Sequence, residues 1–328
     1  MTLANEQMPE RALPFLQWAG GKRQLLQKLS HIITHKSLTY YEPFLGGGAV
    51  FYHFADKRRF QKAVLNDVNE ELINCYEVVK DRLTELIQRL DAYREDSDWD
   101  KEPYFKQVRA SKPSDPVEQA ARTVYLNRTC FNSLYRLNSK GEFNTSFGKN
   151  PNPQLYNLAN ITACSETLKR YATLRIGDYA DAVKDAQAGD LVYFDPPYVP
   201  VSETASFTSY TGPDQFGLDE QRTLASLFRE LFDRGVIVIL SNSDTPLVRE
   251  LYEGFDRHIV GAKRIINSKA DRRGEVNELV IVGQPEELKV DVSADLPDAF
   301  PLTCADCGTL YSSAEIVCIK CGSTNIED

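Results

Sequence analysis

Four short apolar runs, separated by stretches with helical periodicity, constrain the fold of this 328-residue chain more than any other feature. The runs occupy residues 63–65, 191–194, 236–240 and 279–282, and they are rich in β-branched and aromatic side chains. A strand that is apolar at every position is covered on both faces. Such strands are typical of a parallel sheet that lies between two layers of helices.

The segments between these runs carry the apolar spacing of amphipathic helices. In residues 219–234, apolar side chains recur three and four positions apart, at Leu224, Leu227, Phe228, Leu231 and Phe232. Asp219 can cap the start of this helix, and Gly235 can end it. A second helix is expected from Asn69 to about Leu90. The alternation of strands and helices predicts a doubly wound α/β domain.

The charge and hydropathy of the chain exclude some classes of protein. A net charge of −9 argues against a protein that coats nucleic acid with basic surface, although residues 128–150 and 262–273 form local basic patches. Such a patch is by itself most often a solvated face. No apolar run is long enough to cross a bilayer, and residues 1–11 do not form a signal peptide. We therefore expect no membrane partner and a cytoplasmic location.

Residues 41–51 are predicted to form a strand, a glycine-rich turn and the start of a helix. Glycines in such a turn allow a ligand to approach the backbone, although a plain tight turn has the same pattern. Asp67 ends the next strand, 19 residues after Gly48, where an acidic residue typically binds the ribose of a nucleoside-containing cofactor. Phe51 occupies the last glycine position of the dinucleotide motif, which argues against a nicotinamide or flavin enzyme.

Residues 18–23 superficially suggest a phosphate-binding loop. The match fails, because Leu16 stands at the first glycine position and Arg23 replaces the required Ser or Thr. Two interpretations stay open. The segment is either a simple helix start or a cofactor contact, in which Lys22 faces a carboxylate and Trp18 gives apolar cover.

The segment Asp195-Pro196-Pro197-Tyr198 follows an apolar strand, at the edge of the sheet where α/β proteins bind ligands. An exocyclic adenine amine is a poor nucleophile, because its lone pair is delocalised into the ring. The Asp195 carboxylate and the Pro196 carbonyl can accept its two hydrogens and favour a pyramidal nitrogen. The prolines add no competing N–H donor, and Tyr198 can stack on a base taken out of the duplex. A plain turn is the alternative, which the glycine-rich turn and Asp67 make less favourable.

In this order, the motifs resemble those of the Dam family of DNA adenine-N6 methyltransferases. The resemblance covers about residues 14–283 and is carried by FLQWAGGKRQLL, YEPFLGGGAVF, LNDVNEELI, CFNSLYRLNSKGEFNTSFG, IGDY, DPPY, SFTSY and SNSD. It implies a Rossmann-like, S-adenosylmethionine-dependent methyltransferase core with a helical target-recognition insert. It also implies methyl transfer to N6 of adenine in double-stranded DNA, with flipping of the target base.

The resemblance also implies roles for individual residues. The cofactor site would comprise Trp18, Lys22, Phe44, Gly46, Gly48, Asp67, Asp178 and Asp195. Catalysis would fall to Asp195, Pro196, Pro197 and Tyr198. Contacts to base edges or phosphates would come from Asn132, Arg136, Asn138 and Lys140. Many members carry an aromatic residue and an arginine where this chain has residues 137–140. A lysine cannot reproduce the arginine fork on guanine, so the resemblance does not imply the site GATC.

The C-terminal tail contains two C-x-x-C-G knuckles, formed by Cys304, Cys307, Cys318 and Cys321. Four thiolates make a tetrahedral, structural zinc site, and so short a tail needs the metal in order to fold. A redox pair is the less favoured alternative, because the motif is duplicated. The ribbon could bind DNA, a restriction enzyme or another protein partner, or the enzyme's own surface.

We expect a catalytic core at residues 1–74 and 163–283, an insert at 75–162, a linker at 284–303 and the zinc ribbon at 304–328. Three alternative functions stay open: methylation of RNA adenine, methylation of cytosine N4, and DNA binding by a non-catalytic, zinc-containing regulator. Cytosine-N4 enzymes usually begin the tetrad with Ser, so Asp195 favours adenine. The intact tetrad together with Asp67 argues against a regulator.

Overall fold

The computed structural model describes most of the chain up to residue 288 and short parts of the tail. The described residues are 11–18, 22–33, 35–138, 141–150, 152–199, 216–263, 275–288, 302–304, 310–311 and 326–327. The chain divides into two units, residues 1–288 and residues 289–328.

A seven-stranded mixed sheet is the centre of the first unit. Its strands are β1 (Ser37–Glu42), β2 (Phe60–Asp67), β3 (Ala172–Ile176), β4 (Leu191–Phe194), β5 (Ile237–Ser243), β6 (Asp256–Lys263) and β7 (Glu275–Gly283). Their order is β3-β2-β1-β4-β5-β7-β6. β7 pairs antiparallel with both β5 and β6, and all other neighbouring strands are parallel.

Helices connect the strands and cover the sheet. They are α1 (Arg23–Ile32), α2 (Ala49–Asp56), α3 (Glu70–Asp81), α4 (Leu83–Arg94), α5 (Glu102–Ala110), α6 (Pro116–Thr129), α7 (Leu158–Tyr171), α8 (Tyr179–Val183), α9 (Leu218–Asp233) and α10 (Pro246–Leu251). Short 3₁₀ turns occur at Phe131–Ser133 and Glu286–Leu288. The predicted doubly wound α/β class is confirmed.

Alternate residues of the central strands pack into two different hydrophobic clusters. In β4, Leu191 and Tyr193 belong to one cluster, while Val192 and Phe194 belong to the other. All four side chains are fully buried. Each such apolar side chain stabilises the fold by about 1.5–3 kcal/mol relative to an exposed one. This is why the central strands carry uniformly apolar runs.

Two predicted helix boundaries are wrong in detail. The expected single helix from Asn69 to about Leu90 is two helices, because Arg82 adopts a φ of −130° between α3 and α4. Asn69 does cap the first of them. Helix α9 is capped by Gly217 rather than Asp219, since the Glu220 carboxylate accepts the Gly217 N–H at 2.9 Å and anchors the chain two residues earlier.

The carboxyl ends of β1 and β4 define a crevice in this topology. Strand β1 pairs with β2 on one side and with β4 on the other, in parallel. The chain order therefore reverses between β1 and β4, and loops that leave these two strands diverge to opposite faces of the sheet. Ligands bind to open α/β sheets at such a switch point.

The connection between β2 and β3 is mostly helical and contains a hairpin-like segment before α7. Helices α3 to α6 come first, and isolated antiparallel bridges then join Cys130 to Phe147 and Leu137 to Phe143. Residues 75 and 162, the expected limits of the insert, lie inside α3 and α7. The domain limits drawn from the sequence remain a prediction.

The second unit contains a small antiparallel sheet of β8 (Leu302–Cys304), β9 (Leu310–Tyr311) and β10 (Ile326–Glu327). Of the four predicted zinc ligands, Cys304 belongs to β8, and Cys307, Cys318 and Cys321 lie outside the described residues. Within the described parts of both units, no group of three or more His, Cys, Asp or Glu side chains could hold a metal ion. No helix in those parts is long and apolar enough to span a bilayer.

Candidate active site

The glycine-rich turn after β1 exposes its backbone at the carboxyl edge of the sheet. Gly48 is the N-cap of α2 and has a φ of +66°, a conformation that glycine adopts without strain. A Cβ there would lie 2.8 Å from the Tyr76 hydroxyl oxygen. That hydroxyl donates a 3.1 Å hydrogen bond to the Gly46 carbonyl, so α3 holds the turn in place. The turn suits a ligand that approaches the main chain closely.

Asp67, the last residue of β2, is tied to this turn. Its Oδ2 accepts a 3.0 Å hydrogen bond from the Gly46 N–H, and its Oδ1 accepts one of 3.0 Å from the Asn69 N–H. Burial raises the pKa of Asp67, while the same backbone N–H groups act in the opposite direction. Each carboxylate oxygen has a further lone pair, so Asp67 can still accept ribose hydroxyl groups.

Asn66 joins the loops that follow β1 and β3. Its Nδ2 donates 3.0 Å hydrogen bonds to the carbonyl oxygens of Pro43 and Gly177, and the residue is buried. Both amide hydrogens are therefore used, and the two loops are fixed relative to each other. No motif in the sequence singles out Asn66 for this role, because its partners lie 23 and 111 residues away.

Trp18 lies against the same turn. Its Cδ1 would be 3.1 Å from a Cβ added at Gly46, and its ring stacks on Tyr135 with 4.8 Å between centroids. The preceding residue, Gln17, exchanges two hydrogen bonds with the Asn127 side chain, at 3.0 Å through its N–H and 2.7 Å through its carbonyl. Helix α6 and the segment after it therefore position Trp18 beside the turn.

Phe44 and Tyr179 form a second aromatic pair, which packs against the other of the two hydrophobic clusters from Trp18. Their rings are stacked with 5.2 Å between centroids. Asp178, which precedes Tyr179, is exposed and accepts a 2.7 Å hydrogen bond from the Ala180 N–H as the cap of α8. The predicted cofactor residue Asp178 therefore caps α8 and is also exposed to solvent.

Lys22 and Asp195 form an ion pair at the carboxyl end of β4. The Lys22 Nζ lies 2.9 Å from Asp195 Oδ2 and 4.9 Å from the centroid of the Tyr198 ring. The Tyr198 hydroxyl donates a 3.4 Å hydrogen bond to Glu278. Asp195 Oδ1 is buried and has no hydrogen-bond partner among the described residues. Burial raises the pKa of Asp195, whereas the Lys22 ammonium lowers it by favouring the charged form.

Glu42, the last residue of β1, adds a second buried carboxyl group to this region. It is 2% exposed and accepts a 2.8 Å hydrogen bond from the Tyr40 hydroxyl. Burial raises the pKa of Glu42 to about 8, and the negative charge of Asp195 also raises it. Glu42 is therefore mostly neutral at pH 7, whereas the Lys22 ammonium favours the charged form of Asp195.

The sequence matches one family of known enzymes over most of its length. Residues 18–266 match the model of the D12 class N6 adenine-specific DNA methyltransferase family. The chain belongs to this family. Type II methyltransferase M1.LlaDCHI from Lactococcus lactis subsp. cremoris is 42% identical over 276 residues, 82% of this chain and 94% of the relative.

Two further relatives of this D12 methyltransferase have similar coverage. Type II methyltransferase M.MjaIII from Methanocaldococcus jannaschii is 41% identical over 286 residues, 82% of this chain and 98% of the relative. DNA adenine methylase from Escherichia coli (strain K12) is 35% identical over 278 residues, 83% of this chain and 95% of the relative. The predicted function is confirmed: the chain is an adenine-specific DNA methyltransferase, with S-adenosylmethionine as methyl donor.

In this D12 methyltransferase, the end of β5 packs against β4 and the segment that follows it. The Ser241 hydroxyl lies 2.8 Å from the Tyr193 hydroxyl, and Asn242 Oδ1 accepts a 3.0 Å hydrogen bond from the Val199 N–H. The sequence left open whether residues 241–244 brace the active site or cap the next helix. Thr245 caps α10 instead, by accepting from the Val248 N–H, and Asn242 contacts the segment after the tetrad.

The predicted DNA-contacting residues of the D12 methyltransferase lie in residues 130–148. The Arg136 Nε donates a 2.8 Å hydrogen bond to Asn144 Oδ1, and Asn138 Oδ1 accepts a 3.0 Å bond from the Glu142 N–H. Arg136 is exposed and Asn138 is half-buried, so both side chains can be reached by a large ligand. Lys140 lies outside the described residues.

A strained bend lies near the start of residues 130–148. Asn132 and Ser133 have φ angles of +54° and +51°, which are unusual for residues other than glycine. The bend follows α6 and leaves 53% of the Phe131 side chain exposed. The spacing of apolar residues in the sequence does not show that the Phe131 ring is exposed on a strained turn.

The described residues fit S-adenosylmethionine. At the glycine-rich turn a Cβ would meet Trp18 or Tyr76, so the fit rests on the acceptors: Asp67 retains acceptor capacity at the end of β2, and Asp195 Oδ1 is buried without a partner among the described residues. Direct contacts join Lys22 to Asp195 and Tyr198, and Gly46 to Asp67 and Trp18. Among the described residues, neither Asn132 nor Arg136 forms a hydrogen bond or an ion pair with these residues.

Proposed function

We propose that Asp195 and the Pro196 carbonyl hold the N6 amine of a flipped adenine while it is methylated. The observation that carries this proposal is the buried Oδ1 of Asp195, which has no partner among the described residues. Two acceptors on the amine hydrogens favour a pyramidal nitrogen with an available lone pair. Pro196 and Pro197 have no N–H, so the backbone of the tetrad offers acceptors and no competing donor at these positions.

Bound S-adenosylmethionine supplies the methyl group for this reaction. The new N–C bond forms as the C–S bond breaks, and the nitrogen then releases one proton. Asp195 would accept that proton, and burial, which raises the pKa of this carboxyl above its ordinary value, favours the uptake. Lys22 holds the other carboxylate oxygen and keeps the group charged beforehand. Tyr198 offers a ring on which the flipped base can stack.

We assign the cofactor to the glycine-rich turn and its neighbours. Asp67 would accept the ribose hydroxyl groups. The turn backbone at Gly46 and Gly48 would approach the amino-acid portion, with Trp18 and Lys22 beside it. Phe44 and Asp178, on the β3 side, would contact the adenine ring of the cofactor.

We assign DNA contact to residues 130–148. Asn132, Arg136 and Asn138, together with Lys140, would bond to base edges or phosphates. Phe131 would add an apolar surface, of the kind that DNA-bending and base-flipping proteins use to separate stacked bases. The recognition sequence is left to experiment.

We also propose the division into a core (1–74 and 163–283), an insert (75–162), a linker (284–303) and a zinc ribbon (304–328). The duplicated C-x-x-C-G spacing of Cys304, Cys307, Cys318 and Cys321 supports the ribbon. A partner protein, such as a restriction enzyme, is one candidate for what the ribbon binds.

Transfer of labelled methyl groups from S-adenosylmethionine to unmethylated genomic DNA tests the catalytic proposal. We expect label in N6-methyladenine at one short sequence, and none with Asp195→Ala, which should still bind DNA. The exposed variant Glu77→Gln on α3 serves as the control and should retain full activity. Label on RNA but not DNA, or an active Asp195→Ala, would refute the proposal.

Metal analysis of the purified full chain tests the ribbon. We expect about one zinc per chain, and loss of that zinc in Cys318→Ser but not in the buried, single-cysteine control Cys75→Ser. A chain without zinc after purification in its presence would contradict the ribbon.

A further inference from the structure

Two buried amide side chains link the segment after Pro196 to the rest of the fold. Gln221 lies in the first turns of α9 and Asn242 lies in β5, and they are 2% and 0% exposed. Neither carries an ionisable group, and neither belongs to the glycine-rich turn or the Lys22–Asp195 pair. The glycine-rich turn and the ion pair therefore do not explain why these two amides are buried and hydrogen-bonded.

The hydrogen bonds form a closed path that starts and ends on the catalytic segment. Gln221 Nε2 donates to the Pro197 carbonyl at 2.9 Å. Asn242 Nδ2 donates to Gln221 Oε1 at 3.1 Å. Asn242 Oδ1 accepts the Val199 N–H at 3.0 Å. The path encloses Tyr198, so the backbone is anchored on both sides of the residue that faces Lys22 and Asp195.

The chemistry of the path suits amides at both positions. The carbonyl of Pro197 can only accept, and the N–H of Val199 can only donate. Each side chain between them must therefore donate at one end and accept at the other, which Asn and Gln do and which carboxylates or ammonium groups do not. The two backbone ends also fix which way each amide points.

We propose that Gln221 and Asn242 are positioning residues, which hold Pro197 to Val199 so that the tetrad is aligned for methyl transfer. The inference rests on the proposed role of Asp195 and Tyr198. It extends that role to two residues that touch neither adenine nor cofactor. Misplacement of reacting groups by about 1 Å can cost 100-fold in rate, so a loosened segment should slow the chemical step more than it weakens binding.

The test uses Gln221→Met and Asn242→Asp in the full chain. Met has nearly the shape of Gln without its donor or acceptor. Asp keeps the acceptor for Val199 and loses the donor to Gln221. We expect either variant to lower kcat roughly 10- to 100-fold in single-turnover assays, while Kd for S-adenosylmethionine and for DNA changes less than threefold. Two variants are used so that the failure of one to fold leaves the other.

Asn160→Ala is the matched control. Its amide also clamps a backbone, through bonds of 2.8 and 3.0 Å to the N–H and carbonyl of Leu13, away from the tetrad. We expect a comparable loss of Tm with kcat within twofold of wild type. A kcat within twofold in both folded test variants, or parallel losses of kcat, both Kd values and Tm, would overturn the positioning role.

Wild type and Asp195→Ala are measured in the same assay. An inactive wild type or an active Asp195→Ala would refute the proposed role of the tetrad itself. A normal wild type, an inactive Asp195→Ala and fully active Gln221 and Asn242 variants would refute only the positioning role.

Discussion

The buried carboxyl group of Glu42 should make the stability of the enzyme depend on pH. Its pKa is about 8 in the folded chain, against an ordinary value of 4.5. Between these values the folded state holds a proton that the unfolded state has released, so the free energy of unfolding falls as pH rises. One proton corresponds to about 1.4 kcal/mol per pH unit, and the effect diminishes close to the folded pKa. From pH 6 to pH 8, Glu42 should therefore reduce stability by about 2 kcal/mol.

Glu42→Gln removes this titration and keeps an oxygen that can accept the Tyr40 hydroxyl. We measure the free energy of unfolding with urea at pH 6 and at pH 8. Between these pH values it should fall by about 2 kcal/mol more in wild type than in the variant. In the exposed control Glu77→Gln, the free energy of unfolding should change with pH as it does in wild type. If it also changes as in wild type in Glu42→Gln, Glu42 does not hold a proton in the folded state, and the explanation from burial is wrong.

Three further predictions concern the ion pair, the cofactor site and the insert. Lys22→Met should move the acid limb of the pH–rate profile of single-turnover methylation to higher pH, because the ammonium lowers the pKa of Asp195; an unmoved limb would contradict the ion pair's role. Asp67→Ala should weaken S-adenosylmethionine binding about 10- to 100-fold by calorimetry, as expected for hydrogen bonds to a charged group, and an unchanged Kd would remove Asp67 from the cofactor site. Gly148→Ala should destabilise the chain by about 3 kcal/mol in urea, because its Cβ would overlap the Cys130 carbonyl. The control Gly141→Ser meets no atom within 4 Å and should cost only about 1 kcal/mol, from the strain of a side chain at a φ of +74°.

The sequence predicts the central strands well and the outer strands poorly, for a physical reason. β4 and the first four residues of β5 are buried on both faces and are therefore uniformly apolar, whereas β5 ends in the buried polar residues Ser241, Asn242 and Ser243. β3 and β6 lie at the two edges of the sheet. In β3 only Ala172 is buried, and in β6 Ile259 is 51% exposed. Edge strands need no continuous apolar run, so neither was predicted.

The candidate site also contains residues that the sequence predicts and residues that it does not. Residues with a chemical motif, such as Asp67 and Asp195, stand out in the sequence because their neighbours along the chain share the function. Asn66, Glu42 and Gln221 do not, because their roles depend on partners that folding brings close. Gln221 contacts Pro197, 24 residues away, and no local pattern encodes that contact.

The pairing of β1 with β4 also has a consequence for how the enzyme comes into being. Tyr40 is the register partner of Leu191, so the middle of the sheet joins residues about 150 positions apart. Such distant pairings form slowly, and during synthesis they must wait for the later strand to leave the ribosome. A nascent chain that ends before β4 carries the glycine-rich turn and Asp67 but lacks Asp195 and Tyr198. Such a chain therefore lacks the tetrad on which the proposed methyl transfer depends.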